Sequence, residues 1–294
     1  RLRTGLQRGQ HRRGRRVSLG VRSFRWALAP LMTFVALLPA SLSATWSVIA
    51  IDTRTGQIVI ASATCVPQAN LRGFPADGLM DIQAIIVPGV GVAAAQAGVD
   101  RSRSNQRLIY EELKAGSSPR IILDLLRADP DIQRRQFAIV DVQGRSVAFS
   151  GTRNGVASLS YQGQAPGTQI LYSVQGNILA SDSVVHSAAE ALERAEGNML
   201  DKVMAAMEAA DAEGGDRRCT CETEPLPDAP CDGKNAHVAY LLAANAEDPE
   251  GSSFNDGTYW VFLNVTDENI QPGENANPVI ALRMRYDAWK ARSR

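Results

Sequence analysis

Between Thr45 and Ala63 the chain carries two uninterrupted apolar runs rich in β-branched residues, TWSVIAID (45–52) and QIVIASA (57–63), joined by the short turn TRTG. Two such runs separated by a Gly-bearing turn form a β-hairpin. They are apolar on consecutive rather than alternate residues, so both faces must be covered by other layers. The pattern recurs. IQAIIVPGVGVAAAQAG (82–98) is a second apolar pair broken at PGVG, and RQFAIVDVQGRSVAFSG (135–151) is a third with its turn at QG. ILYSVQGNILA (170–180), which follows a polar stretch, AHVAYLLAA (236–244) and TYWVFLNVT (258–266) read as further strands, whereas 64–80 reads as a loop. Helical periodicity is confined to the intervals: 104–116, 118–129 opened by Ser-Pro with a stripe of Ile121, Ile122, Leu125 and Leu126, then 181–197, 198–215 and a closing helix from Pro278. Hairpins dominate, so the expected fold class is α+β, with two largely antiparallel sheets and helices outside them.

Ahead of the first hairpin lies a different kind of segment. Residues 1–25 hold nine arginines and no acid, and residues 26–44 hold no charge. A basic region, an apolar region and the small-residue zone around Ala40, Ser41, Ser43 and Ala44 have the layout of a signal peptide, so residues 1–44 are expected to be removed. The remaining chain, 45–294, is then one exported domain, secreted or periplasmic. Without the nine arginines it has 22 basic against 31 acidic residues, a net charge of −9. That balance argues against nucleic acid or an anionic membrane as partner; a homo-oligomer is the expected state.

All four cysteines, Cys65, Cys219, Cys221 and Cys231, fall in the exported part. An even count in an oxidising compartment reads as disulfides, with 219–231 as a stapled, proline-rich loop. A zinc site of Cys219, Cys221, Cys231 and His237 is the rival, but C-x-C-x9-C matches no established zinc spacing, and neither metal nor cofactor is expected. Three disulfide connectivities are open. A bond between Cys219 and Cys221 would be strained, so one of them is expected to reach Cys65 or Cys231.

Cleavage after Ala44 would leave Thr45 as a free N-terminus. An N-terminal threonine needs no separate base, because its own α-amine, titrating near 8 when unperturbed, can accept the hydroxyl proton. The blander reading is a first strand residue in a processed protein. Asn177, in VQGN, is a candidate oxyanion donor beside Gly176, or else an ordinary cap of the helix that follows. Gln96, in the apolar string AAAQAG, and Gln175 are candidates of the same kind, since buried amides need partners. Asp216 and Arg217 follow the pair Gly214-Gly215. Arg217 is a candidate clamp for a substrate carboxylate, and Asp216 a candidate to orient the arginine or the Thr45 amine.

The strings ATWSVIAIDTRTGQIVIASA, GVGVAAAQAG, SVQGNILAS and EGGDRRC together resemble the bacterial family catalogued as domain of unknown function 1028, over about 45–245. The resemblance implies membership of the N-terminal-nucleophile (Ntn) hydrolase superfamily. It also implies a four-layer αββα sandwich, a Thr45 nucleophile acting on an amide or peptide bond, and small amides or cell-wall fragments as substrates. Proteasome-type relatives in that superfamily place an Asp and then a Lys at intervals of sixteen residues after the threonine. Here those positions hold Ala61 and Asp77, so a different set of neighbours is required. The alternative is a non-catalytic secreted binding or envelope-structural domain that retains the fold.

Overall fold

Strands β1 (Thr45–Asp52) and β2 (Ile58–Thr64) form the expected hairpin, antiparallel from Ile51↔Ile58 to Thr45↔Thr64. The computed structural model describes residues 45–74, 76–222, 226 and 228–293; the signal peptide expected over 1–44 lies outside them. On its other side β1 pairs with β8 (Ile170–Asn177), from Asp52↔Ile170 to Thr45↔Asn177. The hairpin thus stands in the middle of a six-stranded sheet ordered β10-β9-β2-β1-β8-β7, where β7 is Leu159–Gln164, β9 Val238–Ala244 and β10 Val261–Thr266. A second, four-stranded sheet runs β3 (Ala84–Val87), β4 (Gly91–Ala97), β5 (Arg135–Asp141) and β6 (Ser146–Ser150). The ladders of both sheets are antiparallel.

Because successive strand residues point to opposite faces, the continuous apolar runs feed two cores at once. Trp46, Val48 and Ala50 of β1 enter a core built with α5 (Ser183–Arg194), α6 (Met199–Ala212) and α7 (Pro278–Arg292). Ile49 and Ile51 enter a second core between the two sheets, against Ile86, Val92, Ala94, Ala138 and Val140. A third core joins the outer face of the four-stranded sheet to α3 (Ser104–Lys114) and α4 (Pro119–Leu126). A fully buried aliphatic side chain contributes about 1.5–3 kcal/mol, so β1 and β2, buried throughout except for Asp52, anchor the molecule.

Two readings need correction, and one strand goes unread. The expected stripe on α4 is displaced: Ile122, Leu123 and Leu126 are buried, whereas Ile121 and Leu125 are 53% and 43% exposed, because 122 and 126 share the face one position round from 121 and 125. The loop over 64–80 contains two short helices, α1 (Gln68–Leu71) and α2 (Leu79–Gln83). The polar stretch before Ile170 contains β7, a half-exposed edge strand whose sequence LSYQGQ has no apolar alternation to reveal it.

The far end of α6 is tied to α7 by a buried carboxylate. Asn277 caps α7 through the Val279 N–H (2.9 Å) and donates from Nδ2 to Asp211 Oδ2 (2.7 Å). Burial pushes the Asp211 carboxyl up to about 6, against the opposing effect of bonds from Asn277 and Asn235. A carboxylate raised in the folded state stabilises the fold below its unfolded value and loses that contribution as pH rises through 6. Asp211→Asn is therefore expected to stabilise the protein at pH 7.5 by about 1–2 kcal/mol: a shift of two units is worth about 3 kcal/mol, less the long 3.3 Å bond from Asn235 Nδ2, which an amide N–H2 cannot accept. Chemical denaturation of both proteins at pH 5 and 7.5 checks this; an advantage that does not grow with pH would contradict it.

Candidate functional site

At one end of the six-stranded sheet the register brings three polar residues side by side. Thr45 heads β1, Thr64 ends β2 directly opposite it, and Asn177 ends β8 on its other flank. All three are buried, Thr45 at 3% exposure. The Thr45 and Thr64 hydroxyls lie 3.4 Å apart. From the other sheet Gln96 reaches across and donates its Nε2 to the Thr45 carbonyl (3.1 Å), to Gln136 Oε1 (2.7 Å) and, at the long distance of 3.5 Å, to Asn177 Oδ1. Its Oε1 accepts from Ser47 Oγ (2.8 Å) and Gln83 Nε2 (2.6 Å).

Gln96 is thereby the centre of a chain of amides. Tyr240 donates its hydroxyl to Gln83 Oε1 (2.9 Å), Gln83 donates to Gln96, Gln96 to Gln136, and Gln136 Nε2 to the Gly176 carbonyl (2.8 Å). Every link runs in the same donor-to-acceptor sense. Such a satisfied network in a low-dielectric core is rigid, and it fixes each carboxamide's orientation. The two strands that deliver Gln96 and Asn177 turn sharply just beyond them: Ala97 and Ile178 adopt φ of 70° and 55°. That is a costly conformation for a β-branched residue such as Ile178, and one that concentrates at functional positions.

Thr45 lines a cavity of about 20 Å³, room for one water-sized group. Its other walls are the polar groups Thr64, Gln83 and Gln96 and apolar side chains that include Leu71, Ile82 and Val99; among the described residues no charged side chain lines it. Phe74 and Val99 also line an open cleft of about 500 Å³ that is charged, with Arg101, Asp131, Arg134 and Arg135 among its walls.

The Gly-Gly-Asp segment supports this site from behind. Gly214 and Gly215 have φ of +95° and +41°, and a Cβ on Gly215 would stand 2.7 Å from the ring of Trp46. Only glycine lets the backbone lie against the residue next to Thr45. Asp216, fully buried, accepts from the Cys65 N–H (2.8 Å) and pairs with Arg218 (Nη2 to Oδ2, 2.7 Å; Nε to Oδ1, 2.9 Å). The arginine it orients is thus Arg218, while Arg217 is exposed and does not line the Thr45 cavity. Gln175 sits opposite Ser47 and Ser160 and bonds the Ala94 carbonyl at 3.3 Å, bridging the sheets one step away from Thr45. Asn177 ends its strand and does not cap α5, whose N-cap Asp182 makes no side-chain capping bond.

Cys65 and Cys219 are bridged, with Cα atoms 5.6 Å apart, as are Cys221 and Cys231 at 5.9 Å. Both members of the Cys219/Cys221 pair therefore reach outward, and the first bridge clamps the end of β2 to the segment carrying Asp216. These bonds are compatible with an extracellular or periplasmic protein. Among the described residues no helix is long and apolar enough to cross a membrane, and no group of three His, Cys, Asp or Glu side chains could hold a metal ion. His237 donates its backbone N–H to the Thr64 carbonyl (2.7 Å). Burial, with Lys234 and Arg218 adding repulsion, pushes its imidazole down to about 4, so it is neutral at pH 7.

Sequence reasoning missed Gln83 and Gln136. Each, like Gln96, is a lone glutamine at the mouth of an apolar run, in IQAIIV and RQFAIV. Gln96 and Gln136 lie in strands and Gln83 ends α2 just before β3, so a glutamine bordering each of three apolar runs carried the signal.

These features define an α+β domain of two antiparallel sheets with a buried hydroxyl–amide cluster at the head of its central strand. The chain belongs to the Family of unknown function (DUF1028), whose family model matches residues 45–222. A similar fold is found in the crystal structure of a Silicibacter pomeroyi protein matched by the same family model. The two are 22% identical, with a TM-score of 0.58 over 84% of this chain and 89% of that one. No curated protein matches the chain.

Proposed function

We propose that the chain is an exported N-terminal-nucleophile amidohydrolase whose nucleophile, Thr45, is exposed by removal of residues 1–44. The observation that carries this reading is the placement of Thr45 at the head of a central strand, flanked in register by Thr64 and Asn177 and held through its carbonyl by Gln96. The order of helices, six-stranded sheet, four-stranded sheet and helices supports the four-layer αββα architecture of that superfamily.

In this reading the Thr45 hydroxyl oxygen attacks the amide carbon and its proton passes to the α-amine. An uncharged, largely apolar cavity disfavours the ammonium form and keeps that amine available as a base. The tetrahedral oxyanion is met by the Asn177 carboxamide and nearby backbone N–H groups. As the C–N bond breaks, the leaving amine takes the proton back from the α-ammonium, and water then hydrolyses the Thr45 ester. Asp216 acts at a distance, by holding Cys65 and Arg218.

A second reading, a non-catalytic binding or envelope domain on the same fold, is favoured by the uncharged lining that the described residues give the cavity beside Thr45. The mature N-terminus separates the two. Intact mass and N-terminal sequencing of protein recovered from its native compartment are expected to show a chain beginning at Thr45; a stable start elsewhere would leave no free threonine amine and would support the binding domain.

A further inference from the structure

Behind the cavity at Thr45 lies a second one of about 10 Å³, and the two share Ile82, Ala95, Gln96 and Val99 as walls. Most polar groups around the second cavity are already engaged. Asp100 accepts from the Asn105 N–H (3.0 Å), Asn105 Nδ2 donates to Asp129 (2.6 Å), and Arg135 Nε donates to the same carboxylate (2.8 Å). Gln106 is the exception. Its Nε2 donates to the Ile82 carbonyl at 2.9 Å, which fixes the orientation of the carboxamide. Its Oε1 is buried with no hydrogen-bond partner among the described residues, and the side chain as a whole is 2% exposed. A buried acceptor without a donor destabilises the folded chain. A donor placed in the second cavity would remove that cost.

We propose that the two cavities form one recognition pocket for a short substrate side chain. The side chain has a single apolar group beside Thr45 and a terminal hydrogen-bond donor that satisfies Gln106 Oε1. The combined space accommodates about two heavy-atom groups, so the side chain is of hydroxymethyl size; a branched aliphatic one is too wide, and a methyl leaves the acceptor unmet. Gln106 is a specificity-determining residue, about ten positions past Gln96 and on the helix that covers the second sheet. This rests on the reading of Thr45 as the reacting group only for which end of the side chain enters first.

The test uses three probes, the N-acetyl amides of serine, alanine and valine, titrated into the mature protein carrying Thr45→Ala so that nothing is turned over. The Gln106 side-chain N–H2 signals in 1H–15N spectra, assigned by their loss in Gln106→Leu, are the readout. The serine compound is expected to shift those signals and to bind about tenfold more tightly than the alanine one, the worth of one such bond, with the valine compound weakest. Gln106→Leu should erase the serine–alanine difference. Should that variant fail to fold, the spectra of the Gln106-bearing protein still decide. Equal affinities, or no movement of the Gln106 signals up to the solubility of the probes, overturn the pocket. Turnover of the same compounds by protein with Thr45 intact keeps the two readings apart. A serine preference in binding without any turnover sustains the pocket and sinks the hydrolase; Thr45-dependent turnover at one rate for all three does the reverse.

Discussion

Replacing Thr45 by alanine in the mature chain is expected to remove amide hydrolysis to background, a fall of more than about 10⁴-fold, while the fold survives. The structural side of that expectation follows from how little the hydroxyl holds together. Its contact with Thr64 is 3.4 Å long, at the weak end of hydrogen bonding, whereas the strong tie at this residue is Gln96 to the Thr45 carbonyl, which alanine retains. Melting temperatures of the two proteins should therefore nearly coincide. Thr45→Ser keeps oxygen and amine and should keep measurable activity, at a reduced rate because the missing methyl frees the side chain to rotate. A chain extended by Ala44 should be as inactive as the alanine variant, because its nitrogen is then an amide, and among the described residues no charged side chain lines the cavity to replace it. A broad amide screen with these four proteins reads the result. Turnover that survives Thr45→Ala would place the chemistry elsewhere, and turnover that survives the extension would assign the base to another group.

The strands were legible because their chemistry is local. TWSVIAID and QIVIASA carry apolar residues on consecutive positions, Val48 to Ile51 and Ile58 to Ala61, and a sheet buried on both sides rewards such a run; the structure accordingly splits β1 between two cores. The pairing of Thr45 with Thr64 is internal to that hairpin, across a short local turn. The pairing of Thr45 with Asn177 is not, because it joins residues more than a hundred positions apart and nothing in either string encodes the other. Asn177 was singled out for the glycine beside it. Gly214-Gly215 marks a close approach of the backbone, and what it lies against is Trp46. Asp216 was expected to orient Arg217 or the Thr45 amine; nothing in the sequence separates Arg217 from Arg218, and the side-chain geometry selects the latter. Edge strand β7 stayed hidden because an edge needs neither apolar alternation nor branched residues to be held by one neighbour.

The disulfides offer a second large effect with an internal comparison. Cys65–Cys219 closes a loop with a sequence separation of 154 residues, Cys221–Cys231 one of 10. Loop-closure entropy removed from the unfolded chain grows with the logarithm of loop length, which gives about 5 kcal/mol for the first bridge and about 3 kcal/mol for the second. Cys65→Ala with Cys219→Ala is therefore expected to destabilise the protein by about 2 kcal/mol more than Cys221→Ala with Cys231→Ala. Alanine is the right replacement, because Cys65 and Cys219 are buried and a serine would add an unpaired hydroxyl. The first pair also has a local consequence that the second lacks. The Cys65 N–H is bound to Asp216 at 2.8 Å, and Thr64, the cross-strand partner of Thr45, is its neighbour. Without the bridge, the covalent tie between the end of β2 and the Asp216 segment is gone, and the buried hydrogen bond from the residue 65 N–H to Asp216 is left to hold against fraying. Hydrogen exchange at the amide of residue 65 should accelerate in the first double variant and stay unchanged in the second, and amide hydrolysis should fall in the first alone. Equal losses of stability from the two variants would refute the loop-length account, and unchanged exchange at residue 65 would show that the strand end holds its register without the bridge.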